Sequence, residues 1–219
     1  MRYDFHMHTV YSDGELIPSE LARRAKVLGH KVIAITDHGD FSNYKELIEK
    51  ALLSKEIEKY LDIKIIAGVE LTHVPPKAIP KLARKAKDCG AEIVVVHGET
   101  IVEPVEEGTN YYASMSEDVD ILAHPGIIDK ETAENLKENN IFLEITSRRG
   151  HSLTNGLTLK IGREYKIPMV VNTDTHSPKD IINFEFAKKV CLGCGMTEKE
   201  AEKALKEYPK ELLKRLGLL

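Results

Sequence analysis
This chain of 219 residues has no tryptophan and only three cysteines. No stretch of it approaches the roughly 20 consecutive apolar residues that a bilayer-spanning helix needs. Cys89, Cys191 and Cys194 are too few to staple a chain of this size. Cys191-Leu-Gly-Cys194 has no second pair with which to complete a zinc site, so it reads as a helix end closing at Gly193 and Gly195. An excess of basic charge is missing as well. The formal net charge is −4 with acidic and basic residues interspersed, so no surface for nucleic acid is expected. Linkers, repeats and low-complexity stretches are also absent. What remains is an ordinary globular composition, 42% apolar and 30% charged, from which one domain over residues 1–219 is expected, cytoplasmic and without membrane attachment. Abundant Lys, Glu and Ile give the composition a thermophilic cast.

The hydrophobic periodicity alternates between two kinds. After an N-terminal strand carrying Phe5-His6-Met7-His8, a helix runs from Pro18 to Gly29, with Leu21, Ala22, Ala25 and Leu28 on one face. Strands are expected over 31–36, 63–69, 91–96, 119–123, 141–144 and 168–172. Helices fall between them, near 42–61, 79–89, 129–138 and from Asn155. Ser177-Pro178 reads as a cap and first-turn proline of a further helix. Thr197 with Glu200 forms a capping box for a last helix, which Pro209 divides. Seven strands alternating with helices imply βα units and a parallel sheet. A closed, distorted seven-stranded TIM-like barrel is favoured over an open sheet, because only a ring brings the ends of the first and last strands together.

That matters because of where the histidines fall. Of the nine, six lie at or just past the C-terminal end of an expected strand: His6, His8, His38, His97, His124 and His176. This is the rim on which barrel enzymes gather their chemistry. Residues His6 and His8 share a strand face, with Phe5 and Met7 on the other, and can grip one ion together. Asp13, Glu70 and Asp174 are placed like the six histidines. Nine N/O donors exceed what one four-coordinate ion can use, so two or three divalent ions are expected. Mixed imidazole and carboxylate ligation suits Zn, Mn or Fe over Mg or Ca.

His6-x-His8 with Ser12-Asp13-Gly14, Thr36-Asp37-His38, Gly68-Val-Glu70, His97, Ala123-His124-Pro125 and Asp174-x-His176 resemble the PHP (polymerase and histidinol phosphatase) family over nearly the whole chain. The resemblance implies a distorted seven-stranded βα barrel that holds up to three metals and hydrolyses phosphoesters. It places one ion on His6, His8, Glu70 and Asp174. Glu70 bridges to a second ion on His97 and His124, and a third sits on Asp13, His38 and His176. Some members of the family have a histidine near the position of Asp13.

The expected chemistry is direct attack by a metal-bridging hydroxide, since no Ser or Cys stands out as a nucleophile. Glu70, Asp174 and His176 are the candidate catalytic groups. Arg148 and Arg149, on the rim after strand six, are candidates for binding phosphate. His73 and His151 also sit in rim loops. Glu144 and Asp37 could orient ligands, and His30 reads as structural. The expected substrate is a small phosphorylated metabolite, with no nucleic acid. Two alternatives stand beside this reading. One is an amidohydrolase-type C–N hydrolase, which would place a modifiable lysine where this chain has His97. The other is a non-catalytic metal-binding domain, as occurs within larger polymerase chains.

Overall fold
The apolar runs form strands, and every strand pairing is parallel. A computed structural model describes all 219 residues. In chain order the elements begin with β1 (Arg2–Asp4), α1 (Pro18–Val27), β2 (His30–Ile35), β3 (His38–Gly39), α2 (Tyr44–Ser54), β4 (Lys64–Leu71) and α3 (Ile79–Asp88). They continue with β5 (Ile93–Glu99), α4 (Thr109–Ser114), β6 (Ile121–Gly126), α5 (Lys130–Glu138), β7 (Phe142–Thr146), α6 (Asn155–Tyr165) and β8 (Met169–Asn172). The chain ends with α7 (Phe184–Gly193), α8 (Glu198–Glu202) and α9 (Tyr208–Arg215). No helix is long and apolar enough to cross a membrane.

The sheet runs β1-β2-β4-β5-β6-β7-β8, with β3 pairing only to β4. This is the expected seven-stranded, TIM-like α/β barrel, plus one two-residue strand that no sequence pattern announced. Closure between β8 and β1 is made differently from the rest. A single bridge joins Met7 and Thr175, and the His8 amide donates to the Thr175 carbonyl at 2.9 Å. Side chains supply the other links. Asn172 Oδ1 accepts from the Phe5 amide at 2.9 Å, and Asp4 Oδ1 accepts from the Thr173 amide at 3.2 Å.

Alternate strand residues fill the barrel interior, among them Val32, Ala34, Ile66, Ile93, Val95, Ile121, Ala123, Phe142 and Val170. Leu212 and Leu213 of α9 join this cluster and close its N-terminal end. The intervening residues pack outward under the helices, as Val69, Val94, Val96 and Leu122 do.

Local expectations fail in three places. The first strand is shorter than expected and irregular. Phe5 belongs to the inner cluster but Met7 to an outer one, so the two do not share a face. Ser177-Pro178 opens only a single turn, in which the Asp180 amide donates to the Ser177 carbonyl at 3.1 Å and the Asp180 carboxylate accepts from the His176 and Ser177 amides at 3.0 and 2.7 Å. The helix starts later, at Phe184, capped by the Asn183 side chain. The break at Pro209 is a wide turn, Lys203–Glu207, which spares the proline ring a clash with the preceding carbonyls. The Thr197–Glu200 capping box is present. At the end of α7, Cys194 Sγ lies 3.0 Å from the Cys191 carbonyl and Gly195 takes a φ of 102°.

Arg2 and Asp4 form a fully buried pair at 3.1 Å. Burial pushes the Asp4 carboxyl up, but Arg2, His30 and Thr173 outweigh it and hold it below its ordinary value. Asp4→Asn strands a buried guanidinium, and chemical denaturation should show a loss of about 3 kcal/mol. The contribution of Asp4 is complete above the unfolded carboxylate range and fades as pH falls through its lowered folded value. The gap between wild type and variant should therefore narrow on acidification. Burial and Cys194 push the Cys191 thiol up to about 12. Alkylation of the native protein at pH 8 should thus modify exposed Cys89 and reach Cys191 only on unfolding.

Candidate metal centre
Strand alternation decides which polar side chains reach the top of the barrel. In β4, Glu70 lies an even number of residues beyond inward-facing Ile66. In the same way Val95 sets the direction of His97, Phe142 that of Glu144, and Val170 that of Asn172. His124 breaks the pattern. Ala123 already faces inward, so regular extension would turn His124 out toward the helices. Its φ of 28° reverses this and brings Nε2 to 3.6 Å from Glu70 Oε1. Asp174 also takes a left-handed φ, 51°. Such conformations are costly for residues other than glycine and cluster where function demands them.

Asp13 arrives by a tight turn. A Cβ on Gly14 would lie 2.7 Å from the His8 carbonyl oxygen, so only glycine lets the chain fold back here. Asp37 holds the turn closed, accepting from the Thr9 amide, the Thr9 hydroxyl and the Ser12 hydroxyl at 2.7, 2.7 and 2.6 Å.

The nine expected donors converge. Glu70, fully buried, spans the cluster: Oε1 lies 3.2 Å from His6 Nε2, and Oε2 lies 2.7 Å from His38 Nδ1 and 3.7 Å from His8 Nε2. Asp174 Oδ1 is 3.1 Å from His8 Nε2, and Oδ2 is 3.7 Å from His124 Nε2. Asp13 Oδ1 sits 3.4 Å from His38 Nε2 and 3.1 Å from His176 Nε2. Four overlapping groups could each hold an ion: His6-His8-Glu70, Glu70-His97-His124, His6-His124-Asp174 and His8-Asp13-His38-His176. The grouping differs in detail from the resemblance, since His8 also meets the outer set and Asp174 also links His6 with His124.

This donor set fits divalent ions. Glu70 Oε1, Asp174 Oδ1, His8 Nδ1 and His124 Nδ1 are buried without a hydrogen-bond partner, which is costly unless a cation faces the carboxylates. Burial pushes both carboxyls up, but the surrounding imidazoles outweigh it, His6 foremost, and hold Glu70 and Asp174 well below the usual carboxylate range. Burial pushes His6 down, yet Glu70, Glu144 and Asp174 carry it well above its ordinary value. Against burial, Glu70 raises His38 to about 8. Burial, with the His38 charge adding to it, lowers His8 to about 4. The carboxylates thus stay ionised, and the protons that balance them are of the kind a bound metal displaces.

Around the nine lies a cavity of about 310 Å3 lined by no hydrophobic residue. Thr72, His73, Arg148 and His151 line it together with several of the donors. The Glu144 carboxylate lies 2.8 Å from His6 Nδ1 and accepts from the Asn172 amide nitrogen at 2.9 Å, which orients the His6 ring. Arg148 reaches within 3.9 Å of Asp174 and is steadied by Asp180 at 3.3 Å. Arg149, expected to share the phosphate, is exposed and absent from the cavity wall. His151, by contrast, is buried, its ring 4.3 Å from that of His124.

The sequence reading missed Glu103, taken only as loop charge. Its oxygens stand 3.1 Å from His97 Nε2 and 3.2 Å from His151 Nε2. No periodicity extends into that loop, so no signal marked it. His30 is buried beneath the barrel, its Nδ1 2.9 Å from the Ala25 carbonyl, away from the donors.

A protein of Methanocaldococcus jannaschii bearing the name "Uncharacterized protein MJ1295" is 72% identical over 99% of this chain and all of its own length. Ribonuclease P protein component 3 of Methanosarcina mazei is 28% identical over 97% of this chain and 89% of its own. A probable phosphatase of Thermoanaerobacter sp. strain X514 is 29% identical over 98% and 96%. Among solved structures, archaeal ribonuclease P with mature tRNA contains a chain that superposes with a TM-score of 0.72 at 16% identity, over 97% of this chain and 90% of that one. Histidinol phosphate phosphatase from Lactococcus lactis, complexed with Zn, L-histidinol and phosphate, gives 0.61 at 17%, over 90% and 94%. At these identities the two structures share the fold. The expectation that nucleic acid plays no part is overturned by the ribonuclease P relatives. Its physical flaw is that a chain's own net charge does not limit contacts made through other members of an assembly. The PHP domain model matches residues 4–151. The chain therefore belongs to the PHP domain family.

Proposed function
We propose that this protein is a metal-dependent phosphoesterase whose ions are held by His6, His8, Asp13, His38, Glu70, His97, His124, Asp174 and His176. The observation that carries the reading is the pair of buried carboxylates, each with an unpartnered oxygen, among six imidazoles at the base of an all-polar cavity. Divalent ions bound there make water nucleophilic near neutral pH and neutralise charge on a phosphoryl group. Zn, Mn and Fe suit the donors.

The side chains divide the remaining work. Arg148, steadied by Asp180, offers its guanidinium to phosphate oxygens from the cavity wall. Glu144 and Asn172 hold His6 in one orientation, and Asp37 holds the turn that delivers Asp13. No Ser or Cys lines the cavity, which supports hydrolysis without a covalent enzyme intermediate. The size of the cavity and its single reachable arginine favour a terminal phosphomonoester. A second reading, membership of an RNA-containing assembly, is favoured by the near full-length match to ribonuclease P protein component 3. The two are compatible, and phosphate release decides the first.

Elemental analysis of the purified protein followed by a phosphatase screen over small monoesters and phosphorylated oligonucleotides tests the proposal. Metal without phosphate release from any of them would refute it. Glu70→Ala should lower metal content by more than one equivalent and abolish turnover, and unchanged stoichiometry would remove Glu70 as a bridge. For Asp13→Ala the inner ions should remain while activity falls and is recovered by added Mn or Zn. Arg148→Ala should raise KM about tenfold or more, as expected for losing a hydrogen bond to a charged group.

A further inference from the structure
The floor of the barrel, at the end of the strands away from the donors, concentrates charge of one sign. A cavity of about 380 Å3 opens there beside the starts of β7 and β8, where Phe142, Pro168 and Tyr208 line it together with Lys137, Lys166 and Arg215. A second cavity, of about 260 Å3, shares Lys166 and Tyr208 with the first and adds Arg163 and Lys203. The shared residues make the two one groove. Five cations follow it against two carboxylates, Glu211 and Glu200, in a chain whose net charge is −4.

Part of this charge has a structural explanation. Helices α5, α6 and α9 bring their C-terminal ends to the floor, and each carries a cation in its last turn, Lys137, Arg163 and Arg215. A helix end holds roughly half a negative charge, which these three satisfy. Arg163 also pairs with Glu200 at 2.7 Å, and Arg215 stands 3.6 Å from Asp120. Lys166 and Lys203 fall outside this account, and no carboxylate comes within 4.0 Å of either amine. Lys166 is moreover held at a cost. It closes α6 with φ 57° and ψ 42°, the left-handed conformation that glycine or asparagine usually takes at a helix end and that costs other residues roughly 1–2 kcal/mol. The groove is also ordered. The Lys166 carbonyl accepts from Lys137 Nζ at 3.2 Å, and Arg215 donates to the Glu117 and Val119 carbonyls at 3.0 and 3.1 Å.

We propose that this groove holds the backbone of a single-stranded polynucleotide, with one base against Tyr208. Phosphates spaced along a chain match cations spaced along a groove, whereas a compact anion needs donors that converge on one point. The aromatic ring that both cavities share supplies the flat face on which a base of any kind stacks, a feature that an acidic peptide does not call for. The proposal rests on the reading of an RNA-containing assembly and adds to it a place of contact. It uses no part of the metal centre, which lies at the other end of the strands.

The test follows the fluorescence anisotropy of a labelled deca-adenylate, without a terminal phosphate, on the full-length, metal-loaded protein. Wild type should bind with an affinity that falls as salt rises, at a logarithmic slope of about −2 to −3, as contact with roughly three or four phosphates requires. Lys166→Gly removes the amine and suits the backbone, so it should hold or raise the melting temperature while making the slope shallower by about 0.7. Combined with Lys203→Ala it should weaken binding about tenfold at low salt. Tyr208→Leu should weaken it about tenfold as well, and Tyr208→Phe, which keeps the ring, should not. Lys130→Ala, at an exposed lysine of α5, and Arg148→Ala at the rim should bind as wild type does. Undiminished affinity in the double variant, or no binding by wild type, overturns the groove and leaves the assembly reading to be judged by whether RNA co-purifies with the protein. A loss confined to Arg148→Ala overturns it by placing the strand at the metal centre. Displacement by polyglutamate as readily as by unlabelled deca-adenylate overturns it by assigning the surface to acidic chains.

Discussion
A barrel must join its last strand to its first, and here that junction is made by side chains as much as by backbone. Past Asp4 the first strand pairs with the chain after β8 through one bridge at Met7 and Thr175. Asn172 supplies a further link by accepting from the Phe5 amide, and its other end donates to Glu144. Glu144 in turn meets His6. The residues that close the ring therefore also set the angle of a candidate ligand. Looseness at the seam is transmitted directly to the site, which gives a physical reason for the buried Arg2–Asp4 pair beneath it. A hydrophobic pair of equal volume could be as stable there, but it would offer no acceptor to the Thr173 amide.

The cluster carries its own tension. Glu70 and Asp174 are completely buried and ionised, with left-handed backbone at Asp174 and His124. Left alone, such a concentration of like groups works against folding. The protons that balance it are borrowed, and an ion that displaces them binds only the folded arrangement, so ligand affinity adds to the stability of the whole barrel.

Most of this was legible in the sequence because it rests on short-range regularity. The alternation of β-branched runs with amphipathic helices gave the barrel, and the placement of most donors at or just past strand ends gave the candidate cluster that the fold brings together. What escaped depends on contacts between residues far apart in sequence. No periodicity marks His38–Gly39 as a strand, since two residues pair only because β4 is already there. Ser177-Pro178 carries a sound helix-start signal, but the turn it opens ends at Asp180 and the helix begins only at Phe184. Arg148 and Arg149 are equivalent on paper, and only the fold turns one inward. Glu103 reaches His97 and His151 from a loop without pattern, and the alternation rule alone would have pointed His124 the wrong way. The net charge misled for a different reason, because a sum over one chain is silent on what proteins of similar sequence assemble with.

Leu212 and Leu213 stop the barrel from below, and the cavity lies at the other end, walled by Asp13 and His176 together with His97, Arg148 and His151. The barrel is thus a blind-ended shaft whose inner donors, His6 and Glu70, are fully buried while Asp13 at the top is 58% exposed on its side chain. In such a shaft solvent and any chelator meet the outer donors before the inner ones.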